Sequence, residues 1–277
     1  VTSTLRALLD LQNPEPLLVP SVYDGISTRV AIDLGFEALY IGSYATGSTR
    51  YGIPDIGYIN VDDMADQVRR LGALSDLPVV VDGEGGWGNP LHVARSVKIL
   101  EKSGAAAIHL EDHEFGKHLS TSPRLISVDD MAGKLRAAFD ARTSEDVVII
   151  ARTDAAGEPA VERALHYQEL GADALLIAGP LDEAQYASFM SQATVPVFAL
   201  DSPGSPMVRD RHPSPSAIIF WEPTHIAAEA AIRSALHVVR ETGTTKSIPE
   251  FTDYLAFDRF LGVDPAIQDA RRYGLID

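Results

Sequence analysis

Short apolar runs alternate with amphipathic stretches along almost the whole chain. Runs at 17–21, 38–41, 77–81, 106–111, 147–151, 174–178, 196–200 and 217–221 are rich in Val, Ile, Leu and Ala and four to six residues long. Between them, apolar positions recur at helical spacing over 24–34, 61–71, 91–104, 129–141, 160–170 and 224–240. Near-continuous apolar runs indicate strands buried on both faces, hence a parallel sheet covered by helices. Asn60 and Asn89-Pro90 supply cap and first-turn residues for two of the helices. Eight such units predict an α/β fold, a (β/α)8 TIM barrel; an open doubly wound sheet is the competitor, but it does not call for eight. The stretches 42–60 and 111–127 read as long polar loops, and 202–216 is too rich in proline to be regular. The barrel is expected over 1–242, followed by a helical tail over 243–277 with helices near 251–261 and 265–273.

Composition narrows the classes. A chain of 277 residues with 45% apolar content is ample for one large core. A formal net charge of −16 argues against a nucleic-acid partner, which calls for a basic surface. No apolar run approaches the length of a membrane span, and the first residues do not resemble a secretory signal, so a cytoplasmic enzyme is expected. With no cysteine, thiolate metal ligands and cysteine nucleophiles are excluded.

Barrel chemistry sits at the C-terminal ends of strands. That rule selects Tyr23 and Asp24 after strand one, Ser43, Tyr44 and Asp55 after strand two, and Asp82 and Glu84 after strand three. Glu111 and Asp112 follow strand four, Arg152 and Asp154 strand five, Glu222 and His225 strand eight. So many acids around one arginine call for a cation, and carboxylates with water suit Mg2+ or Mn2+ rather than zinc. Arg152 would then bind a substrate carboxylate through its two-pronged guanidinium. The competing reading is a structural ion-pair network in the barrel mouth.

The stretches SVYDGISTRVAIDLGFEALYIGSYATG, YGIPDIG, VVVDGEGGWGNPLHVARSVKILEKSGAAAIHLED, VVIIARTDA and ERALHYQELGADALLIAG resemble the isocitrate lyase/phosphoenolpyruvate mutase superfamily. The resemblance implies a barrel that assembles as a homodimer or homotetramer, often with a swapped C-terminal helix. It also implies Mg2+ and a small anionic 2-oxo or 2-hydroxy acid whose C–C or P–C bond is made or broken through an enolate. On it, Asp82 matches the metal ligand at the first acid of D-x-D, and Glu84 the second, usually Asp. Asp55 and Glu111 match acids around the metal's water shell, and Arg152 the substrate-carboxylate arginine. Gly42-Ser43 falls where the family has Ser-Gly, and His225 near a histidine or amide after strand eight.

Three departures bear on the reaction. The lyase loop K-K/R-C-G-H is here Gly116-Lys117-His118-Leu119-Ser120-Thr121-Ser122, which keeps the lysine and lacks the cysteine acid. The Asn-Ser pair of the mutases is absent from it, and Leu200-Asp201-Ser202-Pro203 replaces an Asn-Met-Thr-Glu-type segment. Decarboxylation of a 2-oxo acid asks least of such a site; cleavage of a substituted malate or citrate would need an acid and a base from His113, Glu114, Lys117, His118 or Ser120. A phosphonopyruvate-type P–C mutase or hydrolase, and a barrel that binds a metabolite without catalysis, are the alternatives.

Overall fold

The computed structural model describes residues 4–9, 15–119, 123–201, 211–248 and 253–277. After a short helix α1 (Leu5–Leu8), strands and helices alternate as β1 (Leu17–Pro20), α2 (Gly25–Asp33), β2 (Leu39–Ile41), α3 (Ser43–Tyr51), α4 (Val61–Gly72), β3 (Val79–Asp82) and α5 (Pro90–Lys102). They continue as β4 (Ala105–Glu111), α6 (Val128–Ala141), β5 (Val148–Thr153), α7 (Glu158–Glu169), β6 (Ala174–Ile177), α8 (Glu183–Gln192), β7 (Val197–Asp201), β8 (Ala217–Phe220) and α9 (Pro223–Thr242). Helices α10 (Tyr254–Phe260) and α11 (Val263–Arg272) follow. All eight strands pair in parallel in the order β1-β8-β7-β6-β5-β4-β3-β2. Ser21 bridges Tyr40 in parallel, which joins the first strand to the second and closes the (β/α)8 barrel.

The core has two shells because a strand's side chains alternate between faces. Val19, Tyr40, Val80, Ala107, Ile150, Leu176, Phe198 and Ile219 point inward, together with Leu5 and Leu9 from the N-terminal segment. The opposite faces, with Ile41, Val81, Ile108 and Ile149, meet the helices through Met64, Val97 and Leu135. The two asparagines act as the sequence predicts: Asn60 Oδ1 accepts from the N–H groups of Asp62 and Asp63, and Asn89 Oδ1 from Leu91 and His92.

Differences from the sequence expectation fall mostly between elements. The first part of 42–60 is helix α3, not loop. Its buried face consists of Ser43, Ala45, Thr46 and Gly47, small residues that leave no apolar stripe to read. Residues 251 and 252 of the first tail helix lie outside the described residues, as do 202–210 and residues 120–122 of the loop after β4. The chain divides into two compact units, one ending at Ile226 and one beginning at Ala227. The second holds the rest of α9 with α10 and α11, the latter two in mutual contact. No helix among the described residues is long and apolar enough to cross a membrane.

Candidate active site

Asp82 ends β3 and is almost wholly buried. Its Oδ2 accepts from the Ser43 hydroxyl at 2.8 Å and the Ser43 N–H at 3.3 Å, and its Oδ1 from the Glu84 N–H at 2.9 Å. Gly83 is required between the two acids, since a Cβ there would lie 2.6 Å from the His109 carbonyl oxygen. Glu84 itself is held at φ 49°, a left-handed conformation that costs a non-glycine residue on the order of 1–3 kcal/mol. Gly42 caps α3 without a side chain for a similar reason: a Cβ would approach the Tyr40 ring to 2.8 Å.

Lys117 comes from the segment after β4 and buries its ammonium among these acids. Nζ lies 3.0 Å from Glu84 Oε1, 3.5 Å from Asp55 Oδ2, 3.6 Å from Glu111 Oε1 and 3.4 Å from Ser43 Oγ. Arg152, at the end of β5, places Nη1 3.1 Å from Glu111 Oε2, and its Nε and Nη2 donate to Asp154 Oδ1 at 3.0 and 2.9 Å. His118, at φ 64°, sets Nε2 3.3 Å from Asp55 Oδ2. Asp55, Asp82, Lys117, His118, Arg152 and Asp154, with Tyr44, line a cavity of about 550 Å³ at the C-terminal mouth of the barrel. A second cavity of about 300 Å³ shares Lys117 and His113 with it and is also lined by Glu84, Glu111 and Lys134.

Five carboxylates (Asp55, Asp82, Glu84, Glu111 and Asp154) thus face two permanent cations, Lys117 and Arg152, and full ionisation would leave an excess of three negative charges in a largely buried space. Like charges about 4 Å apart repel by about 4 kcal/mol at the effective dielectric of such sites. Burial opposes ionisation of Asp82, but Lys117 foremost among the neighbouring cations, and the Glu84 N–H, hold its carboxyl well below the usual range. Burial, with repulsion from the other acids and against the pull of Lys117, pushes Glu84 up to about 8; burial likewise pushes Glu111 up to about 7. His109, on β4, hydrogen-bonds Tyr40 Oη through Nε2 at 3.0 Å and is pushed down to about 4, chiefly by burial, so it is neutral at neutral pH.

These oxygens fit a hard divalent cation. Glu84 Oε1 and Glu111 Oε2 are buried and meet no hydrogen-bond donor in good geometry; ion pairs alone compensate them. A further grouping, Glu111, His113 and Asp154, brings one ligand atom of each within 4.8 Å of the others. It shares Glu111 with the oxygen set, but Asp154 Oδ1 is already bound by Arg152. The all-oxygen set is the better match to Mg2+ or Mn2+. Metal entry has to strip protons from Glu84 and Glu111. Mg2+ affinity measured by calorimetry is therefore expected to rise as pH goes from about 6 to about 9 and to level off above, with proton release across that range. An affinity flat across that interval would contradict the raised carboxyls.

Several sequence-selected residues fall elsewhere. His225 is buried, 4.8 Å edge-on to the Tyr44 ring, with neither ring nitrogen hydrogen-bonded, and is not among the residues lining the cavity. Tyr23 packs on His225 and is likewise outside the cavity wall. Asp24 is the N-cap of α2. Asp112 is structural: its carboxylate accepts from Thr153 Oγ1, the Asp154 N–H, Arg163 Nη1 and Tyr167 Oη. Asp112→Ala would leave those donors buried and unpaired, and is expected to cost about 3 kcal/mol of stability, read as a fall in denaturation midpoint. A loss under about 1 kcal/mol would refute that role. Conversely, His109 and Tyr40 border the site without any sequence signal beyond one polar residue inside each apolar run.

A family model for phosphoenolpyruvate phosphomutase matches residues 7–239, most of the chain. The chain belongs to that family. Among its relatives, an oxaloacetate decarboxylase from Rhodopseudomonas palustris is 35% identical over 255 residues, spanning 88% of this chain and 87% of its own length. A 2-methylisocitrate lyase from Shewanella oneidensis is 34% identical over 201 residues, 70% and 69% of the two chains. The solved structure of an oxaloacetate acetylhydrolase with the inhibitor 3,3-difluorooxalacetate is 30% identical, has a TM-score of 0.88, and is covered over 99% of this chain and 97% of that one. The resemblance read from the strand-end motifs is therefore borne out, across the barrel and beyond it.

Proposed function

We propose that this family member is a Mg2+- or Mn2+-dependent carbon–carbon lyase. Its substrate is a small α-oxycarboxylate, and decarboxylation of a 2-oxo acid of the oxaloacetate type is the reaction its residues fit best. The observation that carries this is the excess of buried carboxylate oxygens beside Arg152 at the mouth of the barrel, in a chain whose relatives are named for acting on such acids. Asp82, Glu84, Asp55 and Glu111 would hold the metal, with Asp82 fixed by three N–H and O–H donors. When bound, the metal supplies Lewis-acid polarisation of the C2 oxygen and offsets the charge of the enolate that bond cleavage leaves.

The remaining work belongs to side chains of this chain. Arg152 receives the C1 carboxylate, exchanging part of its contact with Asp154 for it. Tyr44 and Gly42 form the wall beside it. The hydroxyl and N–H of Ser43 are directed at Asp82, so Ser43 orients the metal acid rather than presenting both donors to substrate. With no cysteine in the chain, His118 is the donor best placed to return a proton to carbon: it lines the cavity, and Asp55 orients its ring through the 3.3 Å contact with Nε2. Lys117 serves as a counter-ion to the acids. His225 contributes through the packing of Tyr44.

A panel of oxaloacetate, alkyl malates, methylisocitrate and phosphonopyruvate, assayed with Mg2+ and read by product mass, tests the reading. Pyruvate and CO2 from oxaloacetate are expected. Turnover of phosphonopyruvate alone would move the reaction to P–C chemistry, and no turnover by any member would favour a non-catalytic barrel. We also propose a cytoplasmic homodimer or homotetramer in which the tail beyond residue 242 makes subunit contacts. Tyr254, Leu255 and Phe257 on α10 and Tyr273 and Leu275 after α11 are exposed apolar residues in the single chain. A solution mass of one 29.8-kDa chain would contradict it.

A further inference from the structure

Asp82 and Glu84 are aimed into the acid cluster by different means. Asp82 is fixed through its side chain, by the Ser43 hydroxyl and N–H and by the Glu84 N–H. Among the described residues, Glu84 Oε1 meets only the ion pair with Lys117, so its place is set by the backbone that carries it. That backbone is constrained. Glu84 and Trp87 stand at φ 49° and 59°, and Gly86 and Gly88 at 78° and 150°. Residues with a side chain keep such left-handed angles only where their surroundings hold them.

Three elements supply the hold. The carbonyl oxygens of Glu84, Gly85 and Gly86 accept, in turn, from the Glu111 N–H on β4 at 2.9 Å, Lys134 Nζ on α6 at 2.8 Å and Ser96 Oγ on α5 at 3.3 Å. Of these, Lys134 acts on the residue directly after Glu84 through a side chain. Helix α6 is brought there by its buried face, Met131, Leu135 and Ala138, and by Gly133, where an added Cβ would lie 3.5 Å from Pro90 Cγ at the start of α5. The half-buried lysine then lines the 300 Å³ cavity together with Glu84 and Glu111, with its ammonium directed at a carbonyl rather than at a carboxylate. Burial pulls its pKa below the ordinary lysine value, although Asp130 and Glu111 oppose this, so the contact is made at the expense of hydration.

We infer that Lys134 is a positioning residue of the metal site: by holding the Gly85 carbonyl, it keeps Glu84 in the left-handed conformation that brings its carboxylate to the cation. The inference rests on reading Asp82, Glu84, Asp55 and Glu111 as the acids that hold the metal. The sign of its effect separates it from simple charge. Lys117 and Lys134 line the same cavity, and removing either cation leaves more uncompensated negative charge for Mg2+. Charge alone would therefore make the loss of Lys134 tighten metal binding. A lost anchor instead lets Glu84 relax toward negative φ and turn away, which weakens it.

Two measurements on the full chain test this, one of them with no metal present. In hydrogen exchange of the metal-free chain, Lys134→Met is expected to raise the rates of residues 84–88 about tenfold, with the rest of the barrel and the denaturation midpoint unchanged. In calorimetry the same variant is expected to bind Mg2+ about tenfold more weakly than the native chain, as is usual when a group that orients a ligand is lost. Lys134→Arg keeps a cationic donor and is expected to return the affinity to within about threefold of native. Unchanged loop exchange, exchange raised throughout the barrel, Mg2+ binding equal or tighter in Lys134→Met, or no recovery in Lys134→Arg would overturn the positioning role. Faster loop exchange in Lys134→Met beside a native chain that binds no Mg2+ would leave the anchor standing and refute the metal site proposed above.

Discussion

Asp82→Asn is expected to abolish the thermal stabilisation that Mg2+ confers and to lower kcat/KM by about a thousandfold or more. Both Asp82 oxygens accept hydrogen bonds, from Ser43 on one side and the Glu84 N–H on the other, so an amide can satisfy only one of them. Some loss of intrinsic stability, about 1–3 kcal/mol, is therefore expected as well. The diagnostic quantity is the difference in midpoint with and without metal, which a purely structural role would leave intact. Retention of the native metal response in this variant would place the cation elsewhere; the grouping of Glu111, His113 and Asp154 would then be the site to test.

Lys117→Met is expected to have opposite effects on binding and turnover. The ammonium sits within 3.0 to 3.6 Å of three of the acids assigned to the metal. A divalent cation drawn to those oxygens must compete with it, at a Coulomb energy of about 4 kcal/mol per close pair before desolvation is counted. Removing the charge while keeping the length of the chain should tighten Mg2+ binding about ten- to a hundredfold, and should also raise the affinity for Mn2+. Turnover should nonetheless fall about a hundredfold, because the negative charge left around the reacting acid is no longer balanced on that side. Weaker metal binding in Lys117→Met would show that the lysine helps to assemble the site rather than to compete for it.

The barrel was legible because continuous apolar strand runs and stretches of helical spacing alternate along the sequence, and because Asn60, Asn89 and Pro90 mark where helices begin. The strand-end rule found the acids and Arg152 for the same reason. It overreached at Tyr23 and His225, which lie past the point where inward parity still governs a side chain's direction, and which turn toward each other instead. Helix α3 left no signal because small residues bury its face. His109 was hidden as one polar position in an apolar strand, where its Tyr40 bond and its distance of 3.7 Å from Asp82 exist only in three dimensions. The burial of Lys117 likewise depends on how the segment after β4 folds back over Asp55 and Glu84, which no local pattern encodes.

The central claim is metal-dependent cleavage of a C–C bond beside a 2-oxo group, and isotope-resolved product analysis of oxaloacetate tests it most directly. With Mg2+ present, the native chain is expected to convert oxaloacetate labelled at C4 to unlabelled pyruvate and labelled CO2 well above the rate that metal alone supports. Chelation and Asp82→Asn should each return the rate to that background. Equal rates for native chain, Asp82→Asn and metal alone, together with no cleavage of any longer 2-oxo or 2-hydroxy acid, would contradict the account.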